Sequence, residues 1–247
     1  MKKLFLGVAA SATLIAAPAL AADMPVKAPT PAAVVAYNWT GLYVGANVGW
    51  VSENEDWTYT NPIPNTPPTS SLHNISATDG IFGGHVGAQY QFNQFVLGVE
   101  AAVSHPMNGT WGISGTQCVS TVGSQCLARA NTLLTVGGRL GFAWNRFLVF
   151  GSGGWAQLDV QTQELTVPPI VFDVTGHRHN GNYFGGGLEY AWTDHLIVGA
   201  EYQHVSVETL YHGSSADGFS ASPPGVNGRN VGASEDIVRA RISFKWP

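Results

Sequence analysis

Apolar and polar residues alternate with period two in six separate stretches of the chain, and two further stretches bring the strand-like segments to eight. In residues 237–246, Val238, Ala240, Ile242, Phe244 and Trp246 share one face, while Arg239, Arg241, Ser243 and Lys245 share the other. Phe82, Val86, Ala88, Tyr90 and Phe92 oppose His85, Gln89 and Gln91, and Leu97, Val99, Ala101 and Val103 oppose Glu100. Leu134, Val136, Leu140, Phe142 and Trp144 oppose Thr135 and Arg139. Phe184, Leu188, Tyr190 and Trp192 oppose Glu189, and Leu196, Val198, Ala200 and Tyr202 oppose Glu201 and Gln203. Residues 41–51 form a further strand. In residues 147–160 the glycines 151, 153 and 154 blur the phase.

A repeated turn joins these stretches in pairs. The copies are YQFNQF (90–95), FAWNRF (142–147) and YAWTDH (190–195). Each places two polar residues between rings, the signature of a tight β-hairpin. Between the hairpins lie long stretches rich in Pro, Ser, Thr, Asn and Gly: residues 52–79, 106–130, 162–181 and 209–235. They are expected to be loops. Loops of that length sit poorly in a compact soluble domain. Tight turns alternating with long loops fit an all-β, eight-stranded antiparallel transmembrane β-barrel, with short periplasmic turns and long extracellular loops. A soluble sandwich is the competing reading. The clustering of turn rings at one end, as an interfacial girdle, favours the barrel. That girdle would comprise Tyr90, Phe92, Phe95, Phe142, Trp144, Phe147, Tyr190, Trp192, Phe244 and Trp246.

Composition agrees. Charged residues are 11 % of the 247, against about 25 % in ordinary soluble domains. Lys and Arg number 11 against 16 Asp and Glu, which excludes a basic nucleic-acid binder. Lys2 and Lys3, an apolar run to Leu20 and an Ala19-Leu20-Ala21 cleavage site read as a signal peptide over residues 1–21. Its removal, with two lysines, takes the formal net charge from −5 to −7. Residues 22–36 read as a flexible Ala/Pro-rich periplasmic leader, and residues 37–247 as one barrel domain. The expected location is the outer membrane of a Gram-negative cell. Cys118 and Cys126 are the only cysteines, and in an oxidising compartment a short loop disulfide is expected.

The opening YNWTGLYVG (37–45) resembles that of the small outer-membrane β-barrels of α-proteobacteria, the "porin family" or opacity-type barrels, related to OmpA-type barrels. GGHVG (83–87), GVEA (98–101), VGGRLG (136–141), GGGLEY (185–190) and AEY (200–202) resemble the family's successive strands. The resemblance implies a monomeric integral barrel in contact with outer-membrane lipids, and some relatives are associated with hemin binding. It also implies recognition of the last strand by the barrel-assembly machinery through a terminal aromatic. Here Phe244 and Trp246 keep the alternation and Pro247 follows.

An eight-stranded barrel has an interior just filled by side chains. Glu100, Glu189, Glu201, Arg139, Arg239, Arg241, Lys245 and His85 are expected inside, with Asn47, Gln89 and Gln91, as a network of three carboxylates and four cations. Glycines 45, 87, 98, 137 and 185 would make room for the long Arg and Glu. The alternative is a charged constriction in a narrow diffusion channel. In the expected loops, His73, His177, His179 and His212 lie with Trp57, Tyr59, Trp111, Phe172, Tyr211 and Phe219, where a small molecule, haem or a host ligand could dock. His177-Arg178-His179 also has the spacing of a weak metal chelate. No ligand motif is present, and no metal or cofactor is expected. His204-Val205-Ser206-Val207-Glu208 places His, Ser and Glu on one face, a faint likeness to lipid A-modifying barrels. The expectation is a non-enzymatic, structural envelope barrel displaying acidic loops.

Overall fold

The computed structural model describes residues 37–59, 73–113, 125–166, 170–212 and 229–246. Residues 1–36, expected to hold the signal peptide and leader, lie outside the described residues, as do Cys118 and Pro247. Ten strands follow in order: β1 (Gly41–Tyr59), β2 (His73–Phe92), β3 (Phe95–Pro106), β4 (Gly112–Ile113), β5 (Gln125–Trp144), β6 (Phe147–Thr166), β7 (Ile170–Ala191), β8 (Leu196–Val207), β9 (Leu210–His212) and β10 (Arg229–Trp246).

Eight of them form the wall, each antiparallel to its neighbours, in the order β1-β2-β3-β5-β6-β7-β8-β10. β10 then pairs with β1 from Leu42↔Trp246 to Tyr59↔Arg229, which closes the barrel. Closure leaves the wall without an edge, the condition for crossing a bilayer with strands. The short β4 and β9 pair with β5 and β10 at the outer end.

The turns follow from their residues. Asn93 and Asn145 adopt φ of 54° and 55°, in the left-handed region that Asn tolerates. In the third turn, Thr193 Oγ1 instead accepts the amide N–H of Leu196 at 2.9 Å.

The two faces separate as the alternation predicts. Leu42, Trp50, Phe82, Leu97, Leu140, Trp144, Phe184 and Val238 are exposed on the outside. The fifth barrel strand, ambiguous in sequence, exposes Phe147, Val149 and Trp155 and buries Leu148, Phe150 and Ala156. An apolar belt thus runs from the rings at the turns up to Trp50, Phe82, Trp155, Phe184 and Val238.

The expected loops are corrected by the structure. A bilayer needs only about 9–11 residues per tilted strand, yet six wall strands run for 18 to 22 residues. Much of 52–59, 73–79, 125–130, 162–166, 170–181 and 229–235 is therefore paired strand, forming a collar beyond the belt. β5 slips register against β6 between Ala130 and Thr132, just above the belt.

Candidate functional site: the barrel lumen

Three layers of side chains fill the barrel. At the periplasmic mouth, residues 37–40 precede β1, and Tyr37 and Trp39 are buried in an apolar cluster with Val96, Leu148, Phe150 and Ile197. The two rings meet edge-on, 5.0 Å between centroids. Trp39 is held by its indole N–H to Asn145 O at 3.3 Å and by Gln89 and Gln91, which bond its carbonyl and amide at 2.8 and 2.7 Å. Nothing in the alternation singles out these two rings, because they lie before the first strand.

Above them is the ionic layer. Arg241 places Nη2 2.5 Å from Glu100 Oε2 and Nη1 2.6 Å from Glu201 Oε2. Arg239 Nη2 lies 2.9 Å from the same Glu201 oxygen. Arg139 Nη2 lies 2.8 Å from Glu189 Oε2, and its Nη1 lies 3.4 Å from Glu100 Oε2. The Tyr43 hydroxyl donates to Glu100 at 2.8 Å and accepts from Arg139 at 3.0 Å. The Phe150 ring lies under the Arg139 guanidinium at 4.0 Å. His85 Nε2 and Ser243 Oγ are 2.7 Å apart. Every wall strand thus contributes a side chain at this level.

Two sequence expectations need correction here. Lys245 is buried, but its ammonium donates to the carbonyls of Asn38 and Thr40 at 2.7 and 3.1 Å, down in the mouth. Alternation sets the face of a residue but not its depth, so the lumen network has three cations for three carboxylates. The inward glycines also serve rings rather than only Arg and Glu. A Cβ on Gly87 would meet the Tyr43 ring, and one on Gly137 the Tyr183 hydroxyl.

The third layer lies inside the collar. Val51, Trp57, Ile75, Leu158, Val160, Val205, Val231 and Ile237 belong to one buried cluster. Among them sit Glu53, Glu55 and Glu235, each 5 % exposed or less. Glu53 accepts the Ala130 amide at 3.2 Å. Burial pushes Glu53 up to about 7, and burial with the nearby Glu53 pushes Glu55 up to about 8. Burial, then Glu53 and Glu55, raise Glu235 well above the ordinary carboxylate range. A recess of about 20 Å³ touches both Glu53 and Glu235, room for one water. Sequence reading missed this trio, because Ser52, Asn54 and Asp56 between them are polar too.

The girdle residues lie at the turn end, nine of them exposed and Tyr190 half-buried. Phe95 meets Phe142 at 5.8 Å, Phe147 meets Tyr190 at 4.8 Å and Phe244 meets Trp246 at 4.8 Å. Of the loop residues, His179 and His212 are fully buried and touch each other, and Trp57 is buried. Tyr211 is exposed, and Trp111 stacks under Arg129 at 4.4 Å. The side chains of His73, Tyr59, Phe172 and Phe219 lie outside the described residues. Cys126 is buried and disulfide-bonded. On the outer face, His204 bonds Asp236 at 2.8 Å, and Glu208 accepts the Asn180 amide at 3.2 Å. Among the described residues no hydrogen bond joins His204 to Ser206.

The model of the "Outer membrane protein beta-barrel domain" family matches residues 7–233. The chain belongs to that family. It is 30 % identical over 215 residues to the 31 kDa outer-membrane immunogenic proteins of Brucella melitensis biotype 1 and Brucella suis biovar 1, covering 81 % of this chain and 85 % of each relative. Among solved structures, OprG of Pseudomonas aeruginosa matches with a TM-score of 0.50 at 11 % identity, over 85 % of this chain and 98 % of that one. The family and relatives place the chain in the outer membrane, as an integral barrel in contact with its lipids.

Proposed function

We propose that this barrel serves the envelope as a closed structural element and not as a diffusion channel. One observation carries the reading: the layer of three arginines and three glutamates spans the lumen, with ion pairs as short as 2.5 Å. An ion crossing there would have to break contacts that satisfy otherwise unpaired buried charges, and losing such a partner costs about 3–5 kcal/mol. The Tyr37/Trp39 cork below and the apolar layer above add two further barriers. A non-enzymatic role fits the naming of the relatives as outer-membrane proteins, and among the described residues no hydrogen bond joins His204 to Ser206, the contact that would activate the hydroxyl.

The outer collar is the part displayed to the surroundings. It carries the exposed positions through which a relative named as immunogenic would be met. The last strand, with Phe244 and Trp246 outward, is the surface offered to the barrel-assembly machinery.

The test is single-channel recording of the purified barrel in a planar bilayer, with insertion checked by protease protection. A silent bilayer is expected. Stable conductance steps altered by Arg139→Ala or Glu100→Ala would overturn the reading and make the interior a pore.

A further inference from the structure

Two imidazoles face each other inside the collar. His179 on β7 and His212 on β9 are both fully buried, and their Nε2 atoms are 3.0 Å apart. The outer contacts of the pair set its protons. His179 Nδ1 lies 2.9 Å from the Glu208 carbonyl oxygen, which only accepts, so Nδ1 carries the hydrogen. In the neutral ring that leaves the lone pair on Nε2, aimed at His212. His212 Nδ1 lies 3.3 Å from Thr162 Oγ1, a hydroxyl that can donate or accept. With Thr162 donating, His212 Nε2–H bonds His179. With Thr162 accepting, His212 Nδ1 carries the hydrogen and both Nε2 lone pairs face one point.

We propose that His179 and His212 form a two-imidazole site for a borderline divalent transition-metal ion such as Zn²⁺ or Cu²⁺. Imidazole suits these ions, and bonds of about 2.0–2.1 Å at a tetrahedral angle need nitrogens roughly 3.4 Å apart. The pair is within a few tenths of an ångström of that spacing. Metal binding selects the second arrangement: His212 carries its hydrogen on Nδ1, donated to Thr162 Oγ1, both Nε2 lone pairs take the ion, and no net proton leaves the neutral pair. The surroundings are those of a ligating histidine. One ring is oriented by a backbone carbonyl and the other by a hydroxyl, the partners that fix the tautomer in metal sites. Three strands hold the parts, with Thr162 on β6, so the site exists only in the folded collar. His177, two residues before His179 on the same face, packs its ring 4.5 Å from that of His212 and walls one side. Among the described residues, no three His, Cys, Asp or Glu side chains converge as a complete metal cage. Among the described residues the protein thus supplies two ligands to the ion, and binding is reversible.

The experiment is a titration of the detergent-purified protein with ZnCl₂ by calorimetry, with copper electron paramagnetic resonance on a parallel sample. One Zn²⁺ per barrel is expected, with a copper signal split by two nitrogens. His179→Gln and His212→Gln should each weaken Zn²⁺ binding at least tenfold, while the heat-modifiable gel shift shows the barrel still folded. Thr162→Val should weaken it by about tenfold, as loss of an orienting contact does, while His105→Gln on the outer face should leave it unchanged. Absence of saturable Zn²⁺ uptake would overturn the site. So would undiminished uptake in both histidine variants, which would assign the metal to other residues. Should a Gln variant fail to fold, Thr162→Val and the two-nitrogen copper signal decide alone.

Discussion

Arg241 on the last strand reaches across the lumen to Glu100 on β3, 141 residues away in sequence, with Nη2 2.5 Å from Oε2. The same guanidinium lies 2.6 Å from Glu201 and 3.8 Å from Glu189. One side chain therefore ties the closing strand to three others through the interior. Arg241→Ala leaves three buried carboxylates short of a partner. The expected cost is about 3–5 kcal/mol, read as a lower denaturant midpoint in detergent. A loss under about 1 kcal/mol would show that water replaces the guanidinium freely.

The mouth makes a separate prediction. Trp39 is fully buried, so Trp39→Ala should cost about 3–5 kcal/mol, as deletion of a packed indole does. The bilayer should nevertheless stay silent, because the arginine–glutamate layer is untouched. Conductance in this variant would place the seal at the mouth instead.

Stability of the collar should fall as pH rises. Glu53 and Glu55 have folded-state values raised to about 7 and about 8, chiefly by burial. A raised carboxylate stabilises the fold fully below its unfolded value, about 4.3, and loses that contribution as pH climbs through the folded one. The facing groups are Glu235, raised in the same way, and Asp79, whose charge also raises Glu53. Hydrogen exchange of amides 51–57 and 231–237 should be faster at pH 9 than at pH 6, after correction for intrinsic rates. Glu55→Gln with Glu235→Gln should flatten that difference.

The belt is tested by charge. Leu140 is 55 % exposed midway along the apolar face of β5. Leu140→Arg should destabilise the inserted barrel by about 2–4 kcal/mol, whereas Thr78→Arg, above the belt, should cost about 0–1. Equal costs at the two positions would misplace the bilayer.

The wall was legible because two solvents act on it. Lipid outside and packed charge inside force alternation, so Val238, Ala240 and Ile242 separate from Arg239 and Arg241 by inspection. Beyond the bilayer that pressure ends. Residues such as Thr175, Gly176 and Asn180 look like loop, yet pair by backbone hydrogen bonds that any side chain permits. The depth of Lys245 and the inward turn of Tyr37 and Trp39 depend on position along the barrel axis, which a period of two does not encode. The imidazole pair was visible only as separate histidines, because β7 and β9 meet through the fold.

The extension of the strands past the membrane changes what another molecule would find there. Residues 170–181 pair with β6, and Gly181 opens the pairing with β8, so that stretch is presented as a strand held in register against its neighbour. An antibody shaped to it would read residues from neighbouring strands together, such as Asp159 beside Arg178. A short synthetic peptide carries one strand without its neighbours, and would be a poor substitute for the intact barrel as an antigen.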